Sequence, residues 1–121
     1  MSPEFIAKAV GTLVAAYGTD HVRVGNEGTR TLVRIHAVDL YDGCQPPTTP
    51  MMLVLDPSQP KPLPYVQTEQ LLRNGKAPRS TSAVIVGGES WMQFSFNIPW
   101  EERNGIMRFV AAARQRFAQD D

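Results

Sequence analysis

The sequence predicts a single α+β domain over residues 1 to 121, an antiparallel meander of four or five strands with a helix at each end. Three observations predict it. Apolar residues recur at three- and four-residue spacing near both ends, β-branched runs alternate with glycine turns in the middle, and 42% apolar residues in 121 supply one core. A chain of this length buries roughly two thirds of the surface that its unfolded form exposes, enough to hold together without disulfides or a structural metal.

Ser2 is a helix cap, followed by Pro3 at a first-turn position that needs no amide proton and by Glu4 at the positive end of the dipole. Phe5, Ile6, Ala9, Val10, Leu13, Val14 and Tyr17 make the buried stripe, and Gly18 ends it. Residues 21 to 24 and 29 to 40 are rich in Val, Ile and Thr, and Gly25-Asn26-Glu27-Gly28 between them predicts a hairpin. Asp42-Gly43 marks a turn, and residues 51 to 55 form a continuous apolar run suited to the centre of a sheet.

Seven of the ten prolines, Pro46, Pro47, Pro50, Pro57, Pro60, Pro62 and Pro64, fall within residues 46 to 64. From 57 to 64 the missing amide protons argue against central strand pairing and predict an extended, rigid crossing. Asn74-Gly75 is a turn, and residues 76 to 82 are polar and expected to be exposed. Residues 83 to 86 and 91 to 98 flank Gly87-Gly88 as a second hairpin. Ile106, Phe109, Val110, Ala113 and Phe117 give the second helix, entered after Pro99, Glu101 and Glu102, with Arg114 and Arg116 near its negative end.

Twelve basic residues balance twelve acidic ones, so no long-range field gathers nucleic acid or anionic lipid. No apolar run approaches the roughly 18 residues that span a bilayer, and the first 17 residues lack a basic leader. The expectation is a cytoplasmic protein without nucleic-acid or membrane partners. Signatures for zinc hydrolysis, phosphate cradling and the serine elbow are absent. His21, His36 and one cysteine do not make a closed zinc site, so neither a metal nor a cofactor is expected.

Several residues carry side chains capable of chemistry. Cys44, in the turn Tyr41-Asp42-Gly43-Cys44, is expected to be accessible, with His36 the nearest base in sequence, although Asp42 would raise its pKa. Ser80, Thr81, Ser82 and Ser90 supply hydroxyls in or beside turns, each needing a base to become a nucleophile. Arg73, Lys76 and Arg79 form a basic loop with no aromatic interleaved, which leaves base stacking unsupported. Trp91, Phe94, Phe96 and Trp100 are read as core and helix-docking residues.

The run from Leu53-Val54-Leu55-Asp56-Pro57 through Pro60-Lys61-Pro62-Leu63-Pro64-Tyr65-Val66 resembles the third strand, proline-rich loop and fourth strand of ubiquitin-conjugating enzymes. The order of helix, meander, proline crossing and later helix is similar to that fold, and residues 91 to 117 resemble the tryptophan and helix that close its active-site region. The resemblance implies a UBC-like domain whose partners are a ubiquitin-like protein and its activating enzyme. The family cysteine, about eight residues before the tryptophan, has no counterpart here. Counting back from Trp91 reaches Ser82 and Ala83, and counting back from Trp100 reaches Met92, near Ser90. Asn74 alone resembles the family's oxyanion asparagine, without the preceding His-Pro, and Cys44 lies before the third strand.

Three functions follow. The chain transfers the modifier in a bacterial defence-type pathway, as an oxyester on Ser80, Thr81, Ser82 or Ser90 with Asn74 as oxyanion donor, or less readily as a thioester on Cys44. It only binds the modifier or its activating enzyme. Or it is an unrelated, non-catalytic adaptor or chaperone-like α+β domain for another protein partner.

Overall fold

The computed structural model describes residues 1 to 94 and 98 to 120. Helix α1 (Pro3–Tyr17) is followed by β1 (Val22–Glu27), β2 (Arg30–Asp39), β3 (Thr48–Leu55), β4 (Leu63–Val66), β5 (Thr81–Val86), β6 (Glu89–Phe94) and helix α2 (Ile106–Gln115). The six strands form one antiparallel sheet in the order β1-β2-β3-β4-β6-β5. The α+β class stands, with two corrections. The described residues form six strands, not four or five, and β6 rather than β5 lies beside β4, so the sheet is not a simple meander.

The ends of α1 form as the sequence predicts: the Phe5 amide donates to Ser2 Oγ at 3.1 Å, and the Gly18 amide caps Val14 O at 2.8 Å. The first hairpin turns later than expected, at Gly28-Thr29, because β1 continues through Gly25 and Asn26 in register with β2. Part of the expected strand 91 to 98, including Phe96, lies outside the described residues.

The missed strand is β4, and its proline explains why. Gly87 and Gly88, with φ of 60° and 78°, form the two-residue turn in which both central residues need positive φ. Val86 and Glu89, which flank it, are therefore a hydrogen-bonded pair, and the antiparallel alternation carries across the ladder. Val66 bonds towards β6, Tyr65 towards β3, and the nitrogen of Pro64 faces the β6 side. Among the described residues β4 and β6 pair at Tyr65↔Gln93 and Val66↔Met92, and Pro64 keeps register with Leu53. Proline is thus accommodated inside the sheet where its missing amide proton faces away from the β3 ladder, contrary to the expectation that residues 57 to 64 stay out of it.

One sheet face packs under the two helices. Leu13 of α1, Val33, Ile35 and Leu53 of the sheet, and Phe109 and Phe117 are each at most 1% exposed, and such side chains contribute roughly 1.5–3 kcal/mol apiece. Trp100 bridges the helices, edge-on to Phe5 at 5.2 Å and to Phe109 at 5.5 Å. Arg114 and Arg116 serve tertiary contacts as well as the helix end. Arg114 Nε donates to Asp39 O at 2.6 Å, and Arg116 is buried with Nη2 near Arg79 O at 3.4 Å.

The opposite face has its own small core of Leu32, Met52, Val54, Tyr65, Val86 and Trp91. No helix covers it. The β5–β6 hairpin does, bending over the sheet so that Gly87 sits against Leu32 and its amide reaches Glu27 Oε2 at 3.4 Å.

Candidate functional site

The sequence-expected nucleophiles occupy three places. Ser80, Thr81 and Ser82 start β5 and are exposed, Ser80 with a positive φ of 58°. Ser90 is four residues along β6 from Phe94, the partner of Thr81, which separates it from that group by about 13 Å of strand. Asn74 lies in the 73 to 79 loop, where its Oδ1 accepts from the Lys76 amide at 3.0 Å and shapes the turn. Ser90 is thus set apart from the Ser80 to Ser82 group along the ladder, and the Asn74 carbonyl is engaged in its own turn.

Cys44 requires a correction. Its turn forms, with the Cys44 amide on Tyr41 O at 3.1 Å, but the thiol is 3% exposed and Sγ donates to Phe117 O at 3.6 Å. The same carbonyl accepts from the Arg73 amide at 2.9 Å, so three chain segments close over the sulfur. Turn chemistry in the sequence made the residue look accessible, and the return of the chain after α2 covers it. His36 sits in the irregular stretch of β2 between Ile35 and Val38, exposed, with its ring 6.2 Å from that of His21.

A nucleophilic hydroxyl needs a base within hydrogen-bond reach. Among the described residues no hydrogen bond ties Ser80, Thr81, Ser82 or Ser90 to a histidine, carboxylate or lysine. Among the described residues no three of His, Cys, Asp and Glu gather as metal ligands, and no helix is long and apolar enough to cross a membrane.

The polar arrangement that the sequence did not reveal lies on the hairpin-covered face. Arg34 makes a two-point ion pair with Glu89, Nε to Oε1 at 3.0 Å and Nη2 to Oε2 at 3.1 Å. Its guanidinium carbon is 5.5 Å from the Trp91 ring centroid. The Arg34 hydrogen bonds hold the Glu89 carboxyl below its ordinary range against the opposing effect of burial, helped by the charges of Arg34 and Arg23. Trp91, 1% exposed, carries a buried Nε1 without a hydrogen-bond partner among the described residues. Burial pushes the Tyr65 phenol upward, with Arg30 opposing, so the ring packs as a neutral group. Alternation along β2 puts Leu32 and Arg34 on one face, but nothing in the sequence says that residues 55 positions away fold onto it.

The proline segment borders a depression of about 190 Å³ lined by Lys61, Pro62, Pro64, Tyr65 and Gln93 at the β4–β6 seam. A second, of about 580 Å³, lies between Trp100, Glu101, Asn104, Arg108 and Gln115. These linings offer hydrogen bonds and apolar contact to a partner, with no histidine or cysteine among them. Comparisons with protein-family models, with curated proteins and with solved structures return no match for this chain.

Proposed function

We propose that the domain is a binding component of a ubiquitin-like modification pathway, engaging the modifier or its activating enzyme without carrying an acyl adduct itself. The observation that carries the non-transferring reading is the state of the nucleophiles: Cys44 is enclosed beneath Phe117 O, and the exposed hydroxyls have no base hydrogen-bonded to them among the described residues. The link to modifiers rests on the resemblance of residues 53 to 66. It is supported by the course of the proline segment, which joins two neighbouring antiparallel strands between a first and a last helix.

The alternative is an adaptor unconnected with modifiers, favoured by the β5–β6 hairpin, whose placement departs from a simple meander. Incubation with a ubiquitin-like protein, its activating enzyme and ATP from the same genome separates the readings. Binding by calorimetry with no adduct in electrophoresis is expected. A thiol-resistant, base-labile adduct would establish transfer through a hydroxyl, a thiol-labile one would implicate Cys44, and neither binding nor adduct would leave the adaptor.

A further inference from the structure

The two edges of the sheet differ in how they are guarded. Exposed edges invite pairing with another strand unless charge, proline or a bulge blocks it. Strand β1 carries Arg23 and Glu27 with Gly25 between them. Strand β5, the edge at the other side among the described residues, reads Thr-Ser-Ala-Val-Ile-Val, with no charge, proline or glycine. Its Ile85 is 76% exposed, and Thr81, Ser82 and Ala83 are exposed too.

The ladder identifies the main-chain groups on that edge. Because Val86 and Glu89 close the Gly87-Gly88 turn as a hydrogen-bonded pair, Val86, Val84 and Ser82 direct their N–H and C=O towards β6. Thr81, Ala83 and Ile85 therefore direct theirs outward, away from the sheet. These three outward residues are spaced symmetrically about Ala83.

We infer that β5 pairs with β5 of a second copy of this chain, antiparallel across a two-fold axis at Ala83. In that register Ala83 faces Ala83 of the partner subunit, and Thr81 faces the partner's Ile85 on each side of the axis. Every outward residue meets an outward residue, so each pair exchanges both main-chain bonds. An axis at Ser82 or Val84 keeps only the exchange of Thr81 with the partner's Ala83, or of Ala83 with the partner's Ile85, and an axis between two residues sets outward groups against inward ones and forms none. The occupant is a second copy because the edge is self-complementary. The smallest side chain stands on the axis, the β-branched Thr81 and Ile85 become cross-strand neighbours, and no like charges oppose. The contact covers the exposed Ile85. It is independent of the modifier reading, and its test needs no modifier.

A single strand pair buries less than the roughly 1,200 Å² of a stable interface, so the dimer is expected to be concentration-dependent. Sedimentation velocity of the full chain from about 10 to about 500 μM should show monomer converting to dimer. Ala83→Lys, which opposes two ammonium groups at the axis, should keep it monomeric, and Ala83→Pro, which removes an outward amide proton that β6 does not use, should do the same. Val24→Lys on β1 should leave the dimer intact. Hydrogen exchange gives a reading without substitutions: the amides of Thr81, Ala83 and Ile85 should gain protection as concentration rises, whereas those of Ser82, Val84 and Val86 are protected throughout. A wild-type chain that stays monomeric over the whole range, or a dimer that survives both Ala83 variants, would overturn the assignment.

Discussion

Replacing Gly43 by alanine tests the closure over Cys44 at a single atom. Gly43 has φ of 94°, and a Cβ built on it would lie 2.2 Å from Arg73 O and 3.2 Å from Arg73 C, where contacts under 3.0 Å are essentially never seen. The left-handed backbone costs an L-residue about 1–2 kcal/mol. Relief of the clash requires moving the main chain of Arg73, which is held by its amide on Phe117 O at 2.9 Å, and such overpacking costs about 1–3 kcal/mol. Together Gly43→Ala should lose about 3 kcal/mol or more, a fall of about 12 °C in Tm for a domain of this size. Gly75→Ala is the matched control: its φ of 82° carries the same conformational penalty, but no atom lies within 4 Å of the added methyl, so about 1–2 kcal/mol is expected. Urea unfolding followed by far-UV circular dichroism gives both values. A Gly43→Ala loss within about 0.5 kcal/mol of the Gly75→Ala loss would refute the close approach of these two loops.

Two further outcomes follow from the same packing. Iodoacetamide should label native Cys44 at least about 100-fold more slowly than the urea-unfolded chain, since an opening of about 3 kcal/mol is needed to expose it, and comparable rates in mass spectrometry would show the thiol to be free. The second concerns acid. Asp56 Oδ1 accepts from the Ser58 amide at 3.0 Å, Ser58 Oγ at 2.9 Å and Thr29 Oγ1 at 3.2 Å. The Ser58 amide is the largest cause holding the carboxyl below its ordinary value of 3.8, while burial works the other way. A carboxyl lowered on folding contributes its stability fully above that ordinary value and loses it as pH falls through the folded value. Thermal unfolding between about pH 7 and pH 2.5 should show a steeper loss below about pH 4 for the wild type than for Asp56→Asn, and superimposable profiles would remove Asp56 from the acid response.

Both helices were legible because amphipathic spacing is a local property: Ser2, Pro3 and Gly18 bracket α1, and Ile106, Phe109, Val110 and Ala113 turn one face of α2 inward. The second hairpin was legible from Gly87-Gly88 for the same reason. What failed depended on partners distant in sequence. Pro64 is a strand breaker by its own chemistry and becomes acceptable because its nitrogen faces away from β3, with which its neighbours Leu63 and Tyr65 pair. Gln70, in a stretch too short to assign from the sequence, is fully buried because Pro46 O and Leu71 O accept from its Nε2 and Gln67 Nε2 donates to its Oε1. Cys44 was placed in its turn correctly, but its burial is decided by Phe117, 73 residues later. The candidate hydroxyls were found as residues, whereas the Arg34, Glu89 and Trp91 cluster required knowing that the hairpin bends over the sheet.

The β5–β6 hairpin is fastened to strands far from it in the sheet by side chains, with Trp91 beneath it and Glu89 on Arg34. Main-chain geometry is common to all sequences, but side-chain fastenings change one codon at a time. Substitutions at 34, 89 or 91 would therefore re-aim the free edge of β5 in space while leaving the pairing of β1 through β4 as it is, which gives this architecture a mutational route to a new partner that does not pass through a new fold.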